Sequence, residues 1–342
     1  MGPAPDRAWI TEMPKAEVHL HLEGCLHADL VAAAAGRRAA PGEPDRGDGD
    51  GRPVIGSLPE LLSYLDWSCA LIDRADDLTT VAERTALRAA AVGVGHVDVI
   101  VNPTHWPHWQ GRLPAMVDAL DRGFAAAERR CATTAALCVS LKRTQSAAEA
   151  LSLVDRILEA HHRRVAALSI DGDETDGSRN EEFAEAFARA AAGGLRRCAH
   201  AGESSGPDGV REAVEVLGAE RIDHGIRAVE DPGLVEDLER WSVPLDVCLT
   251  SNVVLGIVPD LARHPVEVLR RAGVAVSLNT DDPLLYGIDV AGEYALGATA
   301  YGWGRTELAA MARTSISSCF APAGRRAQLE AELDAFLARP GG

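Results

Sequence analysis

Two histidines separated by one residue are the first groups in this sequence that could do chemistry. They lie in the segment EVHLHLEG at residues 17–24, as His19 and His21. Side chains two positions apart on a β-strand point to the same side. The two imidazoles would therefore be directed at one point, while the apolar residues around them face the other way. Because imidazole nitrogens are common metal ligands, this spacing indicates a metal site.

Further groups suited to such a site follow in three later segments. His200 and Glu203 occur in HAGE, His224 in DHG, and Asp281 and Asp282 in TDDP. Each has a simpler explanation, since a single strand histidine is more often a packing residue, Glu203 can cap a helix and Asp282 can begin a turn. Together, three imidazoles and one carboxylate suit a Zn²⁺ ion that keeps one position open for water. The predicted ligands of this single zinc ion are His19, His21, His200 and Asp281.

The chemistry of such a site follows from the charge of the ion. Bound zinc lowers the pKa of a water molecule to about 7, so that hydroxide is available at neutral pH. His224, placed beside the metal without binding it, can accept or orient the water proton, and Glu203 can act as an acid toward a ring nitrogen. This arrangement suits hydrolytic attack on an electron-poor C=N carbon with release of ammonia.

Eight short apolar runs, separated by longer stretches of helical period, would have to position these residues. Convincing helices between them include residues 180–192 and 209–217. Alternating strands and helices favour a parallel sheet, and eight repeats in one chain favour an α/β fold of the (β/α)₈ TIM barrel type, with its active site at the strand ends. The predicted strand regions are residues 17–22, 97–103, 133–140, 165–171, 195–203, 221–225, 244–252 and 274–283.

Length and composition limit the organisation and the partners of the protein. The 342 residues favour a single domain over residues 1–342, interrupted by a Gly-, Pro- and Asp-rich stretch at 41–53 that predicts a mobile surface loop or an inert insertion. A net charge of −17 disfavours a nucleic-acid partner and favours a small neutral substrate. Seven dispersed cysteines, with neither a targeting segment nor a membrane span, indicate a cytoplasmic protein without a membrane partner. The oligomeric state is left open.

Six motifs, in this order along the chain, resemble those of the adenosine deaminase family of the amidohydrolase superfamily. The resemblance implies a (β/α)₈ barrel with one Zn²⁺ held by the four ligands above, and additional C-terminal helices at about residues 293–338. The motifs are MPKAEVHLHLEG (13–24), GDE (172–174), HAGE (200–203), RIDHG (221–225), CLTSN (248–252) and SLNTDDP (277–283).

The resemblance also implies roles for individual residues. Glu203 would protonate purine N1, His224 would orient the hydroxide that attacks C6, Asp282 would contact N7, and the backbone N–H of Gly172 would meet N3. The implied reaction converts a 6-aminopurine to its 6-oxo counterpart and ammonia. Adenosine or an adenosine-like nucleoside is the first candidate substrate, with free adenine and aminodeoxyfutalosine as alternatives. A different metal-dependent hydrolase that opens a cyclic amide remains a rival.

Departures from the family pattern bear on the substrate. Glu23 stands where nucleoside enzymes of the family commonly have Asp near the ribose 5′-hydroxyl, and Glu23 and Asp223 together resemble the branch acting on free adenine. The second strand is followed by THWPHWQ at residues 104–110. We predict that Trp106 and Trp109 stack on the second ring of the substrate, with His105 or His108 as a hydrogen-bond partner. Packing of these rings within the fold is the alternative.

Overall fold

Eight parallel strands form one sheet in the order of the sequence, each paired with its neighbours along the chain. The computed structural model describes residues 5–37, 52–175 and 179–339. Backbone hydrogen bonds join the first strand to the segment after the last one, from His21 N to Asp281 O at 2.8 Å and from Asp281 N to His19 O at 3.1 Å, so the sheet closes into a barrel. The strands are β1 (Lys15–His21), β2 (Val94–Val101), β3 (Thr134–Lys142), β4 (Val165–Asp171), β5 (Arg196–Ala201), β6 (Arg221–His224), β7 (Leu245–Val247) and β8 (Val276–Leu278).

Helices follow the strands and surround the barrel, and three long helices complete the C-terminal part of the described chain. The TIM barrel and the additional C-terminal helices are therefore confirmed. Within the described residues, no helix is long and apolar enough to cross a bilayer. The α-helices are α1 (Arg7–Glu12), α2 (Ala28–Arg37), α3 (Leu58–Cys69), α4 (Ala75–Ala90), α5 (Leu113–Glu128), α6 (Ala147–Ala160), α7 (Asn180–Ala192), α8 (Pro207–Glu215), α9 (Pro232–Trp241), α10 (Leu249–Val254), α11 (Val266–Arg271), α12 (Pro283–Tyr286), α13 (Val290–Tyr301), α14 (Arg305–Ser318) and α15 (Ala323–Leu337).

Element boundaries agree with the sequence where the local signals are strong. Helix α7 spans the predicted residues, whereas α8 begins two residues before the predicted start, at Pro207, because proline is well suited to the first turn of a helix. Strands β7 and β8 are shorter than the predicted runs. Residues 249–252 of the first run begin α10, and residues 279–282 of the second run lie in the segment between β8 and α12. Residues 41–51 of the predicted mobile loop lie outside the described residues.

A buried ionic cluster holds the interior of the barrel together below the strand ends. The guanidinium group of Arg221 contacts Asp98 Oδ2 at 2.6 Å and Asp246 Oδ2 at 2.9 Å, and none of these three side chains is exposed. Asp98 Oδ2 also accepts a hydrogen bond from the backbone N–H of Phe320 at 2.9 Å, and the Phe320 ring covers the guanidinium at 4.0 Å. The segment between α14 and α15 is thereby tied to the barrel.

We predict that Arg221→Met strongly destabilises the protein. Removing one partner of a buried ion pair leaves its carboxylates without compensation, which typically costs about 3–5 kcal/mol of unfolding free energy. Urea unfolding followed by circular dichroism measures the change. Arg240→Met is the matched control, because that arginine side chain is 65% exposed and pairs with Asp237 at the surface. Equal urea midpoints for the two variants would show that the buried cluster contributes no more to stability than a surface ion pair.

Candidate active site

Functional side chains meet at the carboxyl ends of four barrel strands. His19 and His21 lie on β1, His200 lies on β5, His224 ends β6, and Asp281 follows β8. Both His224 and Asp281 have positive φ angles, 68° and 63°, which residues other than glycine rarely adopt. Such backbone strain is typical of functional sites, where it directs a side chain that the regular strand would point elsewhere.

The nitrogen and oxygen atoms of this cluster are arranged around one point. His19 Nε2 and His21 Nε2 each lie 3.3 Å from Asp281 Oδ1. His21 Nε2 and His200 Nε2 are 3.0 Å apart, and His19 Nε2 has no hydrogen-bond partner although it is buried. Ligand atoms of His19, His200, His224 and Asp281 all lie within 4.8 Å of one another. One divalent cation shared by His19, His21, His200 and Asp281, with His224 beside it, would satisfy these facing groups, and the donor set suits Zn²⁺.

Neighbouring groups hold the proposed ligands in position. His19 Nδ1 lies 3.2 Å from the carbonyl oxygen of Asp246, and His200 Nδ1 lies 3.3 Å from Asp223 Oδ2. Asp281 Oδ2 accepts a hydrogen bond from Ser251 Oγ at 2.6 Å. Metal-binding histidines commonly use their second nitrogen in this way, which fixes the ring and its tautomer.

Glu203 and His224 have altered acidities that suit proton transfer. Burial raises the pKa of Glu203 well above its usual range, and the negative charges of Asp281 and Glu174 raise it further. Burial lowers the pKa of His224 well below its usual value, helped by the charge on His19. The raised pKa of Glu203 favours its protonated form, and the lowered pKa of His224 favours the neutral imidazole. The two groups are adjacent, with Glu203 Oε1 3.5 Å from His224 Nε2.

Glu174 positions the loop that carries Glu203. Its Oε2 accepts hydrogen bonds from the backbone N–H groups of Glu203 at 2.8 Å, Ser204 at 2.9 Å and Ser205 at 3.1 Å. Its Oε1 accepts another from Gly202 N at 2.9 Å. The GDE motif by itself does not reveal this role, because the hydrogen bonds join residues about 30 positions apart.

A cavity opens beside these groups. Gly172 and Asp282, both predicted to bind substrate, line it, and Gly172 has a φ of +97° that favours glycine. Burial, together with the charges of Asp281 and Glu23, raises the pKa of Asp282 well above its usual range. The leucines of α3 also line the cavity, a position that their local sequence does not indicate. The lining residues are His21, Leu58, Leu61, Leu62, Leu65, His105, Asp171, Gly172, His200, Glu203, His224, Leu255, Asp281 and Asp282.

The two tryptophans lie elsewhere than the stacking prediction requires. Trp106 and Trp109 are 0% and 1% exposed and are absent from the cavity lining. The indole N–H of Trp106 donates to Glu23 Oε1 at 2.6 Å, and that of Trp109 donates to the carbonyl oxygen of Ile72 at 2.8 Å. Both rings thus pack within the fold, since burying an indole removes a large apolar surface from water while its N–H still finds a partner.

His105 and Glu23 have different positions relative to the cavity. His105 lines it, with Nδ1 2.6 Å from Asp66 Oδ1, and this bond keeps the pKa of His105 raised although burial opposes it. Glu23 is 1% exposed and is not among the cavity lining residues. Its Oε1 accepts hydrogen bonds from Asn102 N at 2.9 Å and from the Trp106 indole, and burial raises its pKa to about 7.

Comparison with known proteins places this site in a family. The family model described as adenosine deaminase matches residues 14–336. The chain belongs to the adenosine deaminase family. It is 34% identical to an adenine deaminase of Streptomyces coelicolor over 329 residues, which cover 95% of this chain and 96% of that protein. It is also 34% identical to an adenosine deaminase of Yersinia pseudotuberculosis over 298 residues, which cover 85% and 88%.

Solved structures agree with this assignment. An adenine deaminase from Arthrobacter aurescens is 33% identical and matches with a TM-score of 0.89, covering 96% of this chain and 100% of that one. An amidohydrolase from Burkholderia ambifaria with bound zinc is 27% identical and has a TM-score of 0.84, with 99% and 96% covered. This member of the adenosine deaminase family is thus a zinc-dependent hydrolytic deaminase of the amidohydrolase superfamily, which acts on aminopurines. The predictions of family, metal and reaction type are confirmed.

We predict that Glu203→Gln retains zinc but loses kcat by about 100-fold or more, the effect expected when an acid–base group is removed. Zinc content by elemental analysis and ammonia release from the best aminopurine substrate measure the two properties separately. Glu215→Gln on the exposed face of α8 is the control and should behave as the unmodified protein. Near-normal turnover by Glu203→Gln would remove the acid–base role.

Proposed function

We propose that the protein hydrolyses free adenine to hypoxanthine and ammonia. The family assignment and its relatives support deamination of a 6-aminopurine, but the relatives include enzymes named for adenine and for adenosine. The choice between base and nucleoside therefore rests on the cavity. Its free hydrogen-bonding groups match the donors of a base whose N9 carries no sugar.

Two carboxyl oxygens in the cavity carry this proposal, apart from those of Glu203, which serves as the acid. Asp171 Oδ2 and Asp282 Oδ1 are buried, have no hydrogen-bond partner, and belong to lining residues. Free adenine offers its 6-amino group and one imidazole N–H, at N9 or N7, as donors. Adenosine lacks the imidazole N–H because N9 carries the ribose. A buried acceptor left unpaired costs free energy, so a carboxyl oxygen facing the imidazole edge favours the free base.

The remaining lining is unsuited to a ribose. Five leucines line the cavity, and four of them belong to α3. Hydroxyl groups of a ribose placed against these side chains would lose their hydrogen bonds with water. Glu23, at the position of the acid expected near a ribose 5′-hydroxyl, is not among the cavity lining residues; its Oε1 accepts two hydrogen bonds from the protein, and its Oε2 is buried without a partner. These observations support a substrate without a sugar.

A phosphate group also lacks partners here. No lysine or arginine is among the lining residues of the part of the chain that the structure describes. Arg143 donates to Asn180 Oδ1 at 2.9 Å and to the carbonyl oxygen of His200 at 2.6 Å. Lys142 lies 3.6 Å from Asp66. Both cations that follow β3 are therefore used within the fold, which argues against AMP as substrate.

In the proposed mechanism each residue of the chain binds or moves a proton at a defined atom. A zinc ion held by His19, His21, His200 and Asp281 would make an activated water available at neutral pH. Glu203 donates its proton to purine N1, which makes C6 more electrophilic, and His224 orients the attacking oxygen. Asp282 contacts N7, the Gly172 N–H meets N3, and the leucines exclude bulk water. The oxygen of water replaces the amino group at C6, and that group leaves as ammonia.

A cytoplasmic location is part of the same proposal. All seven cysteines are free thiols and six of them are buried, as expected for a protein kept in a reducing compartment. The proposed partner is a small purine, and the acidic charge of the chain argues against nucleic acid.

Ammonia release by the zinc-loaded protein from adenine, 9-methyladenine, adenosine, aminodeoxyfutalosine and AMP tests the proposal. We expect adenine to have a kcat/KM about 10–100-fold above that of 9-methyladenine, because a hydrogen bond to a charged group contributes about 1.5–3 kcal/mol. The methyl group removes the N9–H with little added bulk, so 9-methyladenine is the matched control for adenosine. A higher kcat/KM for adenosine than for adenine would make the protein a nucleoside deaminase. Inactivity on all five substrates with zinc bound would exclude a 6-aminopurine.

A further inference from the structure

Three successive hydrogen bonds run from a backbone amide to His224. The N–H of Val266, at the start of α11, donates to His264 Nδ1 at 3.1 Å. His264 Nε2 lies 3.1 Å from Asn252 Oδ1, and Asn252 Nδ2 lies 3.3 Å from His224 Nδ1. The side chains of all three residues are buried, with His264 4% exposed, Asn252 0% and His224 1%.

The backbone N–H of Val266 determines which atoms donate and which accept in these three hydrogen bonds. Because an N–H group can only donate, His264 Nδ1 must accept and carries no proton. A neutral imidazole has its single proton on the other nitrogen, so His264 Nε2 donates to Asn252 Oδ1. Burial lowers the pKa of His264 to about 4, so its ring is neutral at physiological pH.

The orientation of Asn252 then determines the proton position on His224. With its oxygen accepting from His264, the amide directs its NH₂ group at His224 Nδ1, which must accept. Neutral His224 therefore carries its proton on Nε2, the nitrogen that lies 3.5 Å from Glu203 Oε1. A flipped amide would place two donors against each other at His264, so the reverse arrangement loses a buried hydrogen bond.

We propose that His264 is a positioning residue that fixes, through Asn252, the Nε2–H tautomer of His224. Its catalytic consequence rests on the proposed deaminase function. His224 meets the attacking oxygen as a hydrogen-bond donor and orients it, rather than removing a proton from it. This resolves the two roles, acceptor or orienting group, that the sequence left open for His224.

Nuclear magnetic resonance of the zinc-loaded protein, labelled with ¹⁵N in its histidine rings, measures the tautomer directly. Two-bond ¹H–¹⁵N correlations distinguish Nε2–H from Nδ1–H, and a His224→Asn spectrum identifies the His224 signals by their loss. We expect the Nε2–H pattern for His224 in the unmodified protein. An Nδ1–H pattern, or an Nε2 that carries no proton because it binds the metal, would overturn the proposal.

Asn252→Asp provides the decisive variant, since a carboxylate offers only acceptors. His264 Nε2–H can still donate to it, but His224 Nδ1 must now become the donor, so we expect the His224 pattern to change to Nδ1–H. An unchanged Nε2–H pattern in the folded variant would show that Asn252 does not control the tautomer. Neither result depends on which purine is turned over, so failure of the adenine proposal leaves this test intact.

A pair of variants at His264 separates positioning from structure. His264→Gln keeps an amide donor toward Asn252 and should retain the Nε2–H pattern and most of the activity. His264→Met removes the donor at similar size, and we expect a mixed tautomer with kcat lowered about 10-fold and KM within about 2-fold. Zinc content and circular dichroism verify that each variant is intact. Equal kcat values for the Gln and Met variants would contradict the proposal, and the Gln variant keeps it testable if the Met variant does not fold.

Discussion

The structure depends above all on balancing buried charge around one cation at the strand ends. Asp281 is 4% exposed, and burial alone would raise its pKa, yet the charge of the neighbouring imidazoles, His19 first, keeps that pKa well below its usual range. A buried carboxylate persists only with such compensation. A zinc ion held at this cluster would add to it for Asp281, and Arg221 provides it for Asp98 and Asp246 in the barrel interior below.

The same charge distribution sets the protonation states used in catalysis. The ionised Asp281 raises the pKa values of both Glu203 and Asp282, which burial has already raised. Burial and a neighbouring negative charge both disfavour the ionised form of a carboxyl group, so the two effects act in the same direction here. If Asp281 is a metal ligand as proposed, a change at this residue would alter both metal binding and the acidity of Glu203.

Hydrogen bonds from neighbouring groups hold the functional side chains of the site in one orientation. Glu174 accepts from four successive backbone N–H groups and so fixes the loop of Glu203, while Asn252 and His264 fix the ring of His224. Polar groups that are already satisfied by the protein, such as Glu23 Oε1, are not free to bind a ligand.

The sequence by itself determined the barrel, the family, the metal and the reaction type. These follow from local periodicity and from short motifs such as HLH and HAGE, in which neighbouring residues carry the information. Helix α7 was predictable to the residue for the same reason. The sequence also named His105, Gly172 and Asp282, which the structure places in the cavity lining.

Only the tertiary structure decided which side chains face the cavity and which fill the interior. Trp106 looked suited to substrate stacking, but the acceptor that burial requires for its indole N–H is Glu23, 83 positions away. The leucines of α3 and the roles of Glu174 and His264 were likewise hidden, since their partners are distant along the chain or depend on a loop path. Residue type and spacing report which groups a strand directs to one side, whereas contacts between separate elements depend on how the elements pack.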